Sequence, residues 1–248
     1  MNLVLFEASE LDTGLAADDA RVAHVRTVLR RTDGDPFDAG LVNGPRGTAR
    51  FTTVSADHVR VAFEPTAPPQ PRYPLDVIVG LSRPQTCRHV LRALTTLGVR
   101  RIEFVPTERG EASYAQSKLW TTGEADTLVR AAVAQAFDTV LPQIQVGRSL
   151  AEAMADAAGP RIALDNYEAS ISLPAQLRSV PSLTDAQVAI GPERGWSDRE
   201  RQQLRDAGYT LTSLGPRVLR VETAAVAAIS AVLAQGFWGG QGGTASSR

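Results

Sequence analysis

The chain has 248 residues, 26 basic and 27 acidic, for a formal net charge of −1, with 43% hydrophobic and 21% charged residues, so a folded soluble protein of one large domain or two small ones is expected. Near-neutral charge gives no global argument for a polyanionic partner. The single cysteine, Cys87, leaves no internal disulfide or cysteine-built zinc site within one chain, and the scattered His24, His58 and His89 show no metal-ligand spacing.

No apolar run is long enough to span a membrane, and the N-terminus lacks a basic region with a cleavage-site pattern. The expected location is the cytoplasm. Lys118 is the only lysine. Arginine suits bidentate phosphate and base contacts, although a coding bias toward arginine would give the same composition.

Residues 1 to about 65 carry short alternating segments: Leu3 to Phe6, Val42, Ala49-Phe51-Thr53 and Val59-Val61-Phe63. Turn signals separate them at Asp33-Gly34-Asp35, Asn43-Gly44-Pro45 and Arg46-Gly47. This pattern predicts a small β-barrel. One helix is expected from about Asp18 to Arg30, with Val22, Val25, Val28 and Leu29 inward and Arg21, Arg26, Arg30 and Arg31 outward. Those arginines form either a plain charged face or an RNA-contacting surface. The four prolines of Thr66 to Pro74 favour a stiff extended connection and place a domain boundary, giving domains at 1–70 and 75–238.

Leu75 to Leu81 predicts the first strand of an α/β domain, Pro84 to Leu97 a helix closed by Gly98, and Arg101 to Pro106 the next strand, with Glu108-Arg109 in the loop after it. A helix is expected from about Gly123 to Ala136, and Arg161 to Leu164 is a third strand that ends in Asp165-Asn166. Val188-Ala189-Ile190 and Leu211 to Leu214 are apolar runs that each stop at Gly-Pro, the pattern of buried parallel strands emptying into tight loops. Between them Ser197-Asp-Arg-Glu200 fits a capping box, with its helix running to about Ala207 and Gly208 at the C-cap. Thr223 is expected to cap a final alanine-rich helix. The glycine-rich tail 239–248 is expected to be disordered. Cys87 and His89 would point to different faces of their helix and are taken as structural or surface residues. No Gly-x-Gly-x-x-Gly follows the first strand, which speaks against a dinucleotide-binding enzyme. Ligands in such sheets bind where loops leave the C-terminal strand ends, so the strings Ile190-Gly-Pro-Glu-Arg-Gly195 and Leu214-Gly-Pro-Arg-Val-Leu-Arg-Val-Glu-Thr-Ala-Ala225 are the candidate site.

Those two strings resemble the cofactor loops of the RsmE family, bacterial enzymes of the SPOUT superfamily. Leu97-Gly-Val99 with Glu108-Arg109, His24 with Val28-Leu29-Arg30 and Gly34-Asp35, and the spacing of Gln135 and Pro142 extend the resemblance over nearly the whole chain. It implies an α/β fold with a C-terminal SPOUT domain, parallel sheet and deep trefoil knot, plus a small N-terminal PUA-like β-barrel. It implies S-adenosylmethionine-dependent methylation of N3 of a uridine in small-subunit ribosomal RNA, by a homodimer that binds the cofactor in a bent shape at its interface. The partners implied are ribosomal RNA or the small ribosomal subunit. The chain departs from the usual family pattern at Arg194, Thr96, Ala134, Asp138 and Val140. Other readings are a SPOUT enzyme acting on another base or a ribose hydroxyl, and a non-catalytic RNA-binding assembly factor.

The resemblance assigns cofactor binding to Leu164, Gly191, Pro192, Glu193, Gly195, Leu214, Gly215, Leu219 and Thr223, and RNA contacts to Arg26, Arg30 and Arg109. No metal is expected. Removing the N3 proton of uracil leaves imidate charge, which a cation near O2 or O4 would stabilise. Arg220 is the candidate for that cation, and Glu222 the candidate to orient Arg220 or accept the proton. A salt bridge that merely braces the loop is the alternative for both.

Overall fold

The computed structural model describes residues 3–157, 159–180 and 183–238; the tail 239–248 lies outside them. The chain divides into two compact units, residues 1–71 with 129–141, and residues 72–128 with 142–248. Segment 129–141, assigned above to the α/β domain, thus belongs to the first unit. A helix whose far end buries Val129, Ala132 and Val133 carries the chain into that segment.

The first unit contains β1 (Val4–Phe6), α1 (Glu10–Thr13), β2 (Leu15–Ala16), α2 (Ala20–Thr27), β3 (Phe37–Leu41), β4 (Arg46–Ser55) and β5 (His58–Ala67). Its sheet runs β1-β3-β4-β5-β2, with β1 parallel to β3 and the other pairs antiparallel. Period-two alternation puts Phe37, Phe51, Val59 and Val61 inward, around Phe6. The helix α2 is shorter than expected. It ends at Thr27, so Val22 and Val25 are buried while Val28 is 64% exposed. Arg46-Gly47 is not a turn but the start of β4, at a register shift where Gly47 lies against the Glu64 carbonyl; an added Cβ would be 2.0 Å away.

The second unit contains β6 (Tyr73–Gly80), α3 (Pro84–Thr96), β7 (Val99–Val105), a 3₁₀ turn at Ala112–Gln116, α4 (Lys118–Thr121), the first residues of α5 (Glu124–Gln135), β8 (Gln143–Val146) and α6 (Leu150–Ala155). It continues with β9 (Arg161–Leu164), β10 (Ile171–Ser172), α7 (Leu173–Ser179), β11 (Ala186–Ile190), α8 (Asp198–Asp206), β12 (Thr210–Ser213) and α9 (Val221–Gly236). The seven strands are all parallel in the order β10-β12-β9-β11-β6-β7-β8. All five residues of β11 are buried, as a central strand covered on both faces requires. Ile78, Ala163, Ala189 and Leu211 join Met154, Trp196 and Leu204 from the α6 and α8 side in one core cluster. The helices α3 and α7 both pack against α9.

Local chemistry explains the helix ends. Ser197 and Glu200 form the expected capping box on α8, and a second box, Ser149 with Glu152, starts α6. The C-cap of α8 is Ala207, and Gly208 follows it with φ +82. Thr223 does not cap α9. Arg220, in extended geometry, is the N-cap, because Val221 already turns into the helix to bury its side chain.

Candidate functional site

A cavity of about 540 Å³, a size suited to a small ligand, opens where β9, β11 and β12 end. The loop after β9 contributes Leu164, Asp165, Asn166 and Tyr167. From the end of β11 come Ile190, Gly191, Pro192, Glu193 and Gly195, and the segment after β12 adds Leu214, Val218, Leu219 and Arg220. Val221, Glu222 and Ala224 line it from the first turn of α9, and Arg83 and Thr86 from the start of α3. The strand order makes this position intelligible. Neighbouring β11 and β6 lead the chain to opposite sides of the sheet, which opens a crevice at their C-terminal ends.

The loop after β11 is held by backbone proximity and by its side chains. Gly195 N–H donates to the Pro192 carbonyl at 2.8 Å, and Gly195 has φ +66, where a side chain would be strained. The buried Trp196 donates its indole N–H to the Leu164 carbonyl at 3.1 Å, tying this loop to the end of β9. Glu193 Oε1 accepts the Arg83 N–H at 3.1 Å and the Thr86 hydroxyl at 3.2 Å. Pro84 opens α3 and Arg83 offers no side-chain cap, so the Glu193 carboxylate supplies the negative charge that a helix N-terminus favours.

Asp165 organises the loop after β9. Its Oδ1 accepts the N–H groups of Tyr167 at 2.8 Å and Glu168 at 2.6 Å, and its Oδ2 accepts Arg201 Nε at 2.7 Å. Burial works against the Arg201 charge, but the hydrogen bond and charge of Asp165, with Glu168 and Asp198, outweigh it and raise the guanidinium pKa above its usual value.

Of the residues assigned from the sequence, Leu164, Gly191, Pro192, Glu193, Gly195, Leu214, Leu219, Arg220 and Glu222 meet at this cavity, whereas Gly215 and Thr223 do not line it. Gly215 has φ +117 and open space where a Cβ would stand, so glycine serves the backbone turn there rather than close approach. Neither Arg220 nor Glu222 makes a side-chain hydrogen bond or ion pair among the described residues. Among the described residues no salt bridge of Arg220 or Glu222 braces the loop. Arg109 lies outside the cavity lining; it donates to the Arg194 carbonyl at 3.2 Å and sits 3.9 Å from Asp198. Arg26 and Arg30 belong to the first unit. Arg26 reaches Asp33 at 3.1 Å and the Thr53 hydroxyl at 2.9 Å, while Arg30 is exposed with φ +54. Arg21, counted among the outward arginines, is engaged by Glu10 and Asp19.

Sequence reasoning missed Arg83, Thr86 and Tyr167 as lining residues, and took Asp165 and Asn166 only as the end of a strand. The first two follow β6 and Tyr167 follows β9, so the rule of C-terminal strand ends was the available signal. Burial pushes the Cys87 thiol up to about 12, so it stays protonated and inert. No group of residues able to hold a metal occurs among the described residues.

Residues 68–233 match the model of the RNA methyltransferase domain family. The ribosomal RNA small subunit methyltransferase E of Treponema pallidum is 34% identical, over 94% of this chain and 91% of the relative. The ribosomal RNA small subunit methyltransferase E 1 of Borreliella burgdorferi is 27% identical, over 92% and 95%. Among solved structures, a putative methyltransferase from Legionella pneumophila in complex with the bound cofactor S-adenosylmethionine is 26% identical, with a TM-score of 0.73 over 86% of this chain and 88% of that one. The ribosomal RNA small subunit methyltransferase E of Neisseria gonorrhoeae, at 24% identity, shares the fold, with a TM-score of 0.75 over 95% and 98%.

Proposed function

The chain belongs to the RsmE family of S-adenosylmethionine-dependent small-subunit ribosomal RNA methyltransferases, and from that premise we propose that it methylates a uracil at N3, with the cavity at the ends of β9, β11 and β12 as its active site. The observation that carries this reading is an arginine, Arg220, whose side chain has no partner among the described residues and which lines a cavity walled by glycine loops.

The residues fit the cofactor. An added Cβ at Gly191 would stand 3.3 Å from Gly195 Cα and from Trp196 N, a tight contact, so glycine lets these loops fold closely with their backbone groups near the ligand. Leu164, Ile190, Leu214 and Leu219 offer an apolar surface for a purine, and the loop N–H and C=O groups suit ribose hydroxyls. When bound, S-adenosylmethionine supplies a sulfonium methyl for in-line displacement. The chain's residues must then align the base, exclude water and take up the N3 proton. Arg220 stabilises the charge that develops on O2 or O4 as that proton leaves. Glu222, which likewise has no partner among the described residues, accepts the proton directly or through a water. The exposed Arg26 and Arg30, together with Arg109, offer cations to RNA phosphates.

The same reading includes the trefoil knot, a PUA-like barrel in the first unit, a homodimer and a cytoplasmic location. The knot is supported by two insertions in the sheet: β11 lies between β6 and β9, and β12 between β9 and β10, each between strands that precede it in sequence. The homodimer is supported by the exposed Val226 and Ala227 on α9. No helix among the described residues is long and apolar enough to cross a membrane.

The function is tested by incubating the purified chain with small ribosomal subunits from a strain lacking it and methyl-labelled S-adenosylmethionine, then digesting the RNA to nucleosides. Label in N3-methyluridine is expected. Label confined to another base or to a ribose would overturn the N3 assignment, and cofactor binding without any transfer would favour a non-catalytic role.

A further inference from the structure

Tyr167 is 74% exposed at the rim of the cavity, yet its ring is held in place. Asp165 Oδ1 turns the chain by accepting the Tyr167 and Glu168 N–H groups. The other oxygen of the same carboxylate binds Arg201, and both side chains are at most 3% exposed. Arg201 also donates to Asp198 Oδ1 at 2.8 Å, and its guanidinium carbon stands 5.2 Å from the centroid of the Tyr167 ring. One face of the ring is thus backed by a locked cation. The ring edge lies over Gly195, where an added Cβ would be 3.4 Å from Tyr167 Cε2.

Fold stability is a weak reason for this arrangement. A buried ion pair gains little over a well-packed apolar pair, and most of the Tyr167 ring surface remains in water. What the arrangement does achieve is an aromatic surface of fixed orientation beside an active-site cavity. Val218, 85% exposed, and Arg220, whose side chain has no partner among the described residues, line the same cavity.

We propose that the ring of Tyr167 is the stacking surface for the target nucleobase, with Arg201 and Asp165 as its positioning residues. The inference rests on the reading of the chain as an RNA methyltransferase. A base that is modified in an enclosed site has to leave its own stack. An exposed π-face on the protein replaces the lost stacking for any base, while edge contacts select which one. Tyr167 supplies the face, Val218 apolar contact, and Arg220 the charge directed at the base oxygens. The aliphatic cavity wall remains for the cofactor.

The test compares Tyr167→Ala, Tyr167→Leu and Tyr167→Phe in the full chain. The measurements are cofactor calorimetry, light scattering, and KM and kcat on small ribosomal subunits from a strain lacking this protein. Tyr167→Ala and Tyr167→Leu are expected to raise KM for the subunits by roughly 10- to 100-fold, the size of one lost base–aromatic stack. Cofactor affinity and oligomeric mass should stay unchanged, and Tyr167→Phe should behave as wild type because it keeps the ring. An unchanged KM for Tyr167→Ala overturns the proposal. An equal loss of cofactor affinity overturns it by assigning the ring to the cofactor, and a change in mass by assigning it to a second copy of the chain. Wild-type protein that binds the cofactor but leaves the subunits unmethylated overturns the functional reading and this inference together. Active wild type with an unaffected Tyr167→Ala overturns this inference alone.

Discussion

Gly80→Ala tests whether the cofactor loops depend on backbone contact with the sheet. Gly80 ends β6, in register with Val105 of β7, and does not itself line the cavity. An added Cβ would lie 2.5 Å from Pro192 Cδ and 2.6 Å from Pro192 N, whereas ordinary contact begins at 3.4 Å, so Pro192 must move away from β6. Both neighbours of β6 in the sheet, β11 and β7, hold it by hydrogen bonds, so the Gly191-Pro192 loop has to yield. Overpacking of this kind costs about 1–3 kcal/mol, and in a chain of this size each kcal/mol lowers the melting temperature by about 2–4 °C. Cofactor affinity is expected to fall as well, because Gly191 and Pro192 line the cavity and move with the displaced loop. Calorimetry with S-adenosylmethionine and a thermal melt without it measure the two effects. Gly34→Ala is the control: it has φ +85 with open space around it, so it strains the backbone of the first unit and should lower melting without changing cofactor affinity. Wild-type cofactor affinity in folded Gly80→Ala would show that the loop does not depend on its contact with β6.

Arg220→Ala should lower single-turnover methylation by about 10²–10³-fold with little change in cofactor affinity, as expected for a group that acts mainly in the transition state. Lysine should rescue it only in part, and a matched loss of affinity would instead make Arg220 a loop brace. Glu103→Gln should raise the melting temperature at pH 7. Burial, opposed but not outweighed by Arg148 and Arg101, raises the Glu103 pKa above 4.5; the stability tied to its neutral form is therefore complete below about pH 4.5 and lost as pH rises through the folded value. The gain should vanish near pH 4, and a lower melting temperature at pH 7 would contradict this sign. Val226→Arg on the exposed side of α9 should turn a dimer into a monomer by light scattering; a wild-type chain already monomeric and active would remove the dimer.

The sequence displayed those features whose cause is local. Gly-Pro after an apolar run marked the ends of β11 and β12 within a residue, and the Ser197–Glu200 box marked the start of α8. The equivalent Ser149–Glu152 box was just as legible and went unused, which left α6 unassigned. The polar Gln143–Val146 strand and the two-residue β10 sit at the sheet edges, where half-exposed positions weaken the apolar signal. Helical periodicity places Val28 inward, but α2 stops at Thr27 and Val28 is exposed. The Asp165–Arg201 pair could not be seen, since its partners are 36 residues apart and meet only through the parallel crossover. Asp138 Oδ1 accepts the Thr139 and Val140 N–H groups and closes a turn in the first unit, a local role that the sequence pattern did not reveal.

The most direct test of the account is nucleoside mass spectrometry of small-subunit ribosomal RNA from cells with and without this chain. The account predicts that deletion removes N3-methyluridine from one position and that the wild-type chain, but not Arg220→Ala, restores it. An unchanged level of N3-methyluridine in the deletion strain, or the loss of a different modified nucleoside, would contradict it.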